Sequence, residues 1–211
     1  MPVTAKISAS YLWRLGLIAL FCLGFALWFL YDGAITYPGQ RERALKYQEL
    51  KEEGRLAEWK EIAAQHGWPL EHPGEPKHEA EIYSQLAFAA LMALPGLLFA
   101  FLVFRTWGRW IELNETGLRT SWGRRLEFGQ ITKLDKKKWK SKGIARIRYQ
   151  QNGRNRQLVL DDCKYEVDPT KAILREVESR LDADQIVGGL PEPPLPEEPD
   201  EADSAADGEL T

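Results

Sequence analysis

Hydrophobic and polar positions along this chain change regime three times. Leu15–Tyr31 and Ile82–Phe104 are long apolar stretches that contain no charged side chain. At ~1.5 Å per helical residue the second run reaches roughly 34 Å, and the first roughly 31 Å once Tyr11, Leu12 and Trp13 are counted, against a hydrocarbon core of about 30 Å. Arg14 lies close enough to one end to snorkel, and Trp13, Trp28 and Tyr31 stand where amphipathic rings favour the headgroup region. The pattern predicts transmembrane helices over 11–31 and 82–104. A cleaved signal peptide is the rival for the first run, but the apolar core exceeds the usual 7–15 residues or so, and Leu27-Trp28-Phe29-Leu30-Tyr31-Asp32 offers bulky side chains where a peptidase needs small ones. The second run carries Pro95-Gly96, which permits a bend. With no ionisable residue at either centre, the runs read as anchors with no path for ions or protons.

Between them, residues 32–81 form an extracytoplasmic segment of different character. Residues 40–66, after Tyr37-Pro38-Gly39, are rich in helix-favouring Glu, Lys, Arg, Ala and Leu. Leu45, Tyr47, Leu50, Leu56, Trp59, Ile62 and Ala63 make a partial apolar stripe, broken at Gly54 into two helices that pack on each other, on the membrane surface or on another protein. Gly67–Pro76 holds too much proline and glycine for regular structure.

The third regime is short and alternating, as strands separated by turns should be. Trp110–Leu113 and Leu118–Trp122 flank Asn114-Glu115-Thr116-Gly117. Leu126–Phe128 and Ile131–Leu134 follow on either side of Gly129. Ile144–Tyr149 alternates strictly and reaches Asn152-Gly153, a hairpin signal, before Gln157–Leu160. Asp168-Pro169-Thr170 then suits a helix start, with Ile173, Leu174, Val177 and Leu181 at helical spacing. The fold class expected is membrane α plus cytoplasmic α+β. It comprises a short N-terminal stretch over 1–10, the two spans, the helical segment between them, a small antiparallel β-barrel with a closing helix over 105–182, and a tail over 183–211.

Charge sharpens this division. The net charge is −3, yet residues 105–182 hold nineteen Lys and Arg against eleven acids, whereas 183–211 hold nine acids and no base. That tail, with its prolines, has the composition of a disordered segment. Lys6, Arg14, Arg105, Arg109, Arg119, Arg124 and Arg125, set against Arg41, Arg43, Lys46 and Lys77, predict that both termini lie on the cytoplasmic side of a plasma or inner membrane. Cys22 and Cys163 form no disulfide framework. His66, His72 and His78 recur at intervals of six among prolines, which matches neither a helical face nor a short ligand loop, so no metal is expected. There is no nucleophile motif, glycine-rich phosphate loop or paired acid and base, and the chain is read as non-enzymatic and without cofactor. The candidate binding residues are Lys136, Lys137, Lys138, Trp139, Lys140 and Lys142. This basic run can hold anionic headgroups at ~1 kcal/mol per residue, or pack as a solvated hairpin with Trp139 folded onto the barrel. No nucleic-acid motif accompanies it.

The strand order over Trp110–Leu160, the Glu115-Thr116-Gly117-Leu118 hairpin, the Phe128-Gly129-Gln130-Ile131 step and a closing helix at 169–182 resemble the bacterial pleckstrin-homology-like domains attached to paired membrane helices. That resemblance implies a non-catalytic module that binds proteins, lipids or its own copies. The segment 32–83 is longer than the short loops of such proteins. The expected role is a membrane-anchored scaffold or adaptor whose cytoplasmic domain engages membrane lipids or a protein partner, with homo-oligomers possible. The alternative is an accessory subunit of a membrane transport or secretion complex.

Overall fold

A computed structural model describes residues 2–192, in two compact units. One consists of Ala9–Trp107, the other of residues 2–8 together with 108–192. The chain opens on strand β1 (Val3–Lys6), which belongs to the second unit.

The helical unit starts with α1 (Ala9–Tyr31), which runs without a break through a π-helical turn at Asp32–Thr36 into α2 (Tyr37–Glu52). The expected interruption at Tyr37-Pro38-Gly39 does not occur. Proline lacks an N–H, and its ring would meet the carbonyl four residues earlier in a regular helix. The wider turn absorbs it, with the Tyr37 N–H donating to Asp32 O, five residues back. After a 3₁₀ turn at Leu56–Glu58 comes α3 (Trp59–His66), and a proline-rich stretch leads into α4 (Glu79–Thr106).

Both α1 and α4 are long and apolar enough to cross a membrane, and only 11% of each apolar window is buried. The core helix of a soluble domain would be mostly covered. What is buried is small: Ala19, Ala26 and Gly33 on one helix, Ala89 and Gly96 on the other. Their seven-residue spacing makes a seam like that of a left-handed coiled coil, with small residues letting the backbones approach. A Cβ on Gly96 would lie 2.8 Å from Leu23 Cγ and 3.1 Å from the Leu23 nitrogen, and one on Gly33 would lie 2.9 Å from Leu86 Cδ2. Phe29 and Phe88 meet across the same seam at 5.7 Å between ring centroids.

Most of the stripe between the candidate spans closes on itself, while Leu45 and Leu56 stay exposed. Leu50, Trp59 and Ala63 are buried, with Tyr47, Ile62 and Trp68 packed against them. Trp59 Nε1 donates to Leu70 O at 3.1 Å, and Arg43 reaches the carbonyls of Pro69 and Glu71, so the proline-rich stretch is tied back over this cluster. An ion pair of 2.8 Å joins Arg41 to Glu79.

In the β-unit, β2 (Trp110–Asn114), β3 (Gly117–Thr120) and β4 (Arg125–Glu127) are followed by a 3₁₀ turn at Phe128–Gln130. Then come β5 (Ile131–Lys138), the one-turn α5 (Trp139–Lys142), β6 (Ile144–Gln151), β7 (Arg154–Asp161), α6 (Val167–Ser179) and β8 (Ile186–Val187). They form two four-stranded sheets, β1-β2-β3-β4 and β7-β6-β5-β8. The hairpins at Asn114–Gly117 and Asn152-Gly153 fall where the alternation placed them; Asn152 and Gly153 both take positive φ, as that turn requires. The inward positions Ile111, Leu134, Ile147 and Leu160, like Ile173, Leu174 and Val177 of α6, are all buried. Each such burial stabilises by about 1.5–3 kcal/mol.

Three boundaries differ from the sequence reading. α6 begins at Val167, ahead of the anticipated Asp168 cap, and ends at Ser179. Residues 183–192 belong to the folded domain: Ala183–Gln185 make a 3₁₀ turn, and β8 pairs in parallel with β5 through Leu134–Ile186 and Asp135–Val187. Finally, β1 pairs antiparallel with β2 from Val3–Leu113 to Lys6–Trp110, so the domain takes a strand from before the first apolar helix. The rest of the expected tail, 193–211, lies outside the described residues.

Candidate functional site: the lysine-rich turn

The basic run does not form one loop. Its first three lysines are the end of β5, and Trp139–Lys142 coil into α5, which stops at Gly143 in the left-handed conformation, φ 65°, with the Gly143 N–H donating to Trp139 O at 2.7 Å. Pleating then divides the run between two environments. Lys137, Lys138, Lys140 and Lys142 are exposed, whereas Lys136 is 3% and Trp139 8% exposed. The candidate list is corrected accordingly. Lys136 presents no charge to solvent, and Trp139 has no ring to insert into an interface, because both fill the domain interior.

Lys136 Nζ meets Glu178 Oε1 at 2.5 Å, Glu192 Oε1 at 3.1 Å and Leu190 O at 2.7 Å, while the Glu192 N–H donates to Glu178 Oε2 at 2.8 Å. The ammonium thus donates to Leu190 O and Glu192 Oε1 and is in ionic contact with the Glu178 carboxylate, the charge compensation a buried ammonium requires. It fastens the 186–192 segment across α6. This is a structural clasp and takes no part in surface recognition.

The exposed lysines have a definite place in the domain. Gly143 O accepts from the Asp162 N–H at 3.0 Å, and the Cys163 thiol contacts Lys142 O at 3.9 Å. One residue on, Lys164 O accepts from the Ser8 N–H at 3.0 Å, and Ile7 bridges to Tyr165 while its N–H donates to Arg109 O at 3.1 Å. Ser8 and Gly108 are the residues at which the chain leaves this domain for α1 and returns from α4. The lysine turn is therefore tied, through Asp162–Lys164, to Ser8, the residue of this unit at which the chain passes to α1. Arg109 holds its guanidinium over Trp122 at 5.5 Å. Sequence reasoning missed Trp122 and Lys164, since nothing local links 122 or 164 to residue 8.

No family model, curated protein or solved structure matches this chain. The chemistry of the site is accordingly argued from its own geometry.

Asp161, Asp162 and Cys163 are the group of potential metal ligands that comes together among the described residues, within 4.8 Å of one another. Asp161 Oδ1 already accepts the Cys163 N–H at 3.1 Å, and the Asp162 carboxylate lies against Gly143, where a side chain would otherwise stand. The three histidines are apart in function. His66 stacks on Trp68 at 4.4 Å, His72 Nδ1 accepts from the Gly74 N–H at 3.0 Å, and His78 precedes α4.

Proposed function

We propose that this chain is a membrane-anchored, non-catalytic scaffold whose β-unit is a pleckstrin-homology-like module lying against the anionic leaflet. Carrying this reading is the position of the lysine turn, joined through Asp162, Cys163 and Lys164 to Ser8, next to the start of α1. The β-unit is continuous in sequence with both candidate spans, and the residue at which it passes to α1 is tied to the lysine turn. Four exposed lysines there, at ~1 kcal/mol each near an anionic surface, supply enough attraction to fix its orientation.

The pairing of β1 with β2 supports the rest of the topology. β1 precedes the first apolar helix and β2 follows the second, so if both helices span, the two flanking segments share one side of the membrane. Signal cleavage would remove a strand of the sheet, which favours a retained helix. The positive-inside balance makes that side the cytoplasm. With the spans as anchors, the segment between them is displayed on the opposite face, most of its apolar stripe packed internally with Leu45 and Leu56 left exposed.

The test uses the whole protein in nanodiscs, with Cys22 and Cys163 replaced by serine and an environment-sensitive dye on Ser141→Cys. Emission should shift to the blue when phosphatidylglycerol is added to phosphatidylcholine, and the shift should vanish at high salt or with Lys138, Lys140 and Lys142 changed to Glu. Identical emission in neutral and anionic discs would sink the proposal.

A further inference from the structure

The outer face of the β5-β6-β7 sheet carries a second cluster of cations, separate from the lysine turn. On β6, Ala145, Ile147 and Tyr149 point into the core, which sets Arg146 and Arg148 on the opposite face. Lys133 of β5 is directly opposite Arg148, and Arg148 is opposite Gln157 of β7. Arg124 approaches from the β3–β4 turn, its Nη1 donating to Gln157 O at 3.0 Å. Lys133, Arg148 and Arg156 line a concave cradle of about 510 Å³ together with Thr132, Asn155 and Gln157, and no carboxylate lines it.

Two features bear on what this cradle can hold. Among the described residues, none of Lys133, Arg148, Arg156 and Arg124 is in an ion pair within 4.0 Å, so their charge is open to an anion. Like charges placed directly opposite on neighbouring strands also destabilise a sheet, by roughly 0.2–1 kcal/mol, so the Lys133–Arg148 pair is unfavourable in isolation. An anionic occupant answers both features.

We propose that this cradle docks the acidic segment 193–211 of the same chain. That segment carries Glu197, Glu198, Asp200, Glu201, Asp203, Asp207 and Glu209 and no lysine or arginine. It begins on the right sheet: β8 is the neighbour of β5, and Lys136 clasps Glu192, the residue just before it. At ~3.3 Å per extended residue, nineteen residues reach about 60 Å, ample to cross three strands spaced ~4.8 Å apart. The amide and hydroxyl groups of Gln157, Asn155 and Thr132 offer partners for its backbone. The proposal does not depend on the lysine turn binding lipid.

The experiment takes the chain cut after Glu192, in nanodiscs of neutral lipid, and titrates it into a fluorescent peptide of residues 193–211 read by anisotropy. Saturable binding is expected, weakened about tenfold or more by raising salt from 0.05 to 0.3 M and by Lys133→Gln with Arg148→Gln, and absent for a peptide with its seven acids changed to Gln and Asn. Because both side chains point outward and repel, the double variant should melt no lower than its parent, so lost binding cannot be put down to unfolding. In the uncut chain the segment should block the added peptide. No binding to the cut chain overturns the proposal. So does binding that survives the double variant but is lost with Lys138, Lys140 and Lys142 changed to Glu. Capture of anionic vesicles or inorganic polyphosphate by the cradle, with the peptide ignored, overturns it as well.

Discussion

Lys136 shows how far a single residue's meaning depends on where its side chain points. In sequence it is one of five lysines around a tryptophan, and in the fold it is the only one of the five that is buried, bound by two carboxylates and a carbonyl. Removing one partner of a buried ion pair leaves a desolvated charge, so Lys136→Met should cost about 3–5 kcal/mol. Replacing Glu178 by Met as well should recover most of that loss, since an apolar pair of similar volume fills the site without an orphan charge. Thermal melts of the full chain in detergent read both variants. A single variant as stable as the parent would mean the clasp contributes nothing. The exposed neighbours Lys138, Lys140 and Lys142 should be replaceable with little change in melting temperature.

Among the elements, the pairing of α1 with α4 rests on backbone proximity at Gly33 and Gly96. Gly96→Leu would drive atoms into the Leu23 side chain and backbone, forcing the helices apart. A disulfide between cysteines placed at Gly33 and Gln85, where a Cβ on residue 33 would lie 3.1 Å from the Gln85 Cβ, should form in the parent and poorly in the Gly96→Leu variant. The turn between α2 and α3 is held by charge. Arg55 meets Glu58 Oε2 at 2.6 Å and Glu53 Oε2 at 2.8 Å. The hydrogen bond from Arg55 holds the Glu58 carboxyl below the usual carboxylate range. A carboxylate whose folded pKa is depressed adds stability above its unfolded value, near ~4.3, and loses it as the pH falls through the folded value. An NMR titration should therefore find Glu58 protonating below the usual carboxylate range, and Arg55→Ala should return it to that range.

At the scale of the whole molecule, the β-unit is assembled from residues that 99 intervening positions separate, Ala9 to Trp107. A fragment of 105–182 chosen from the sequence pattern lacks both β1 and β8. It exposes the edge of β2 that Val3–Lys6 covers and leaves Lys136 without Glu192. Such a fragment should be soluble only poorly and melt well below the full chain, and adding a peptide of residues 2–8 to a 108–192 fragment should raise its melting temperature. Equal stability of the 105–182 and 108–192 fragments, with no response to the peptide, would show that the flanking strands are dispensable. Deleting residues 2–7 from the full chain should loosen the same sheet, seen as faster amide exchange in β2.

By itself the sequence determined what depends on local periodicity and composition. An uninterrupted apolar run is legible because every turn of a lipid-exposed helix must be apolar, and the Ile144–Gln157 hairpin is legible because alternation and Asn152-Gly153 act over a few residues. Lengths and ends were less so: Pro38 reads as a break until a π turn accommodates it, and 183–192 reads as tail until β8 finds β5. Only the tertiary structure decided which lysines face water, that β1 belongs to the β-unit, and that Lys133 and Arg148 stand side by side. Those outcomes depend on pairings between positions far apart in the chain, where the hydrogen-bonding edge of one strand and the pleat of another choose the neighbours. No local pattern carries that choice, because the partners, β1 with β2 and β5 with β8, lie about fifty to a hundred residues apart in the sequence.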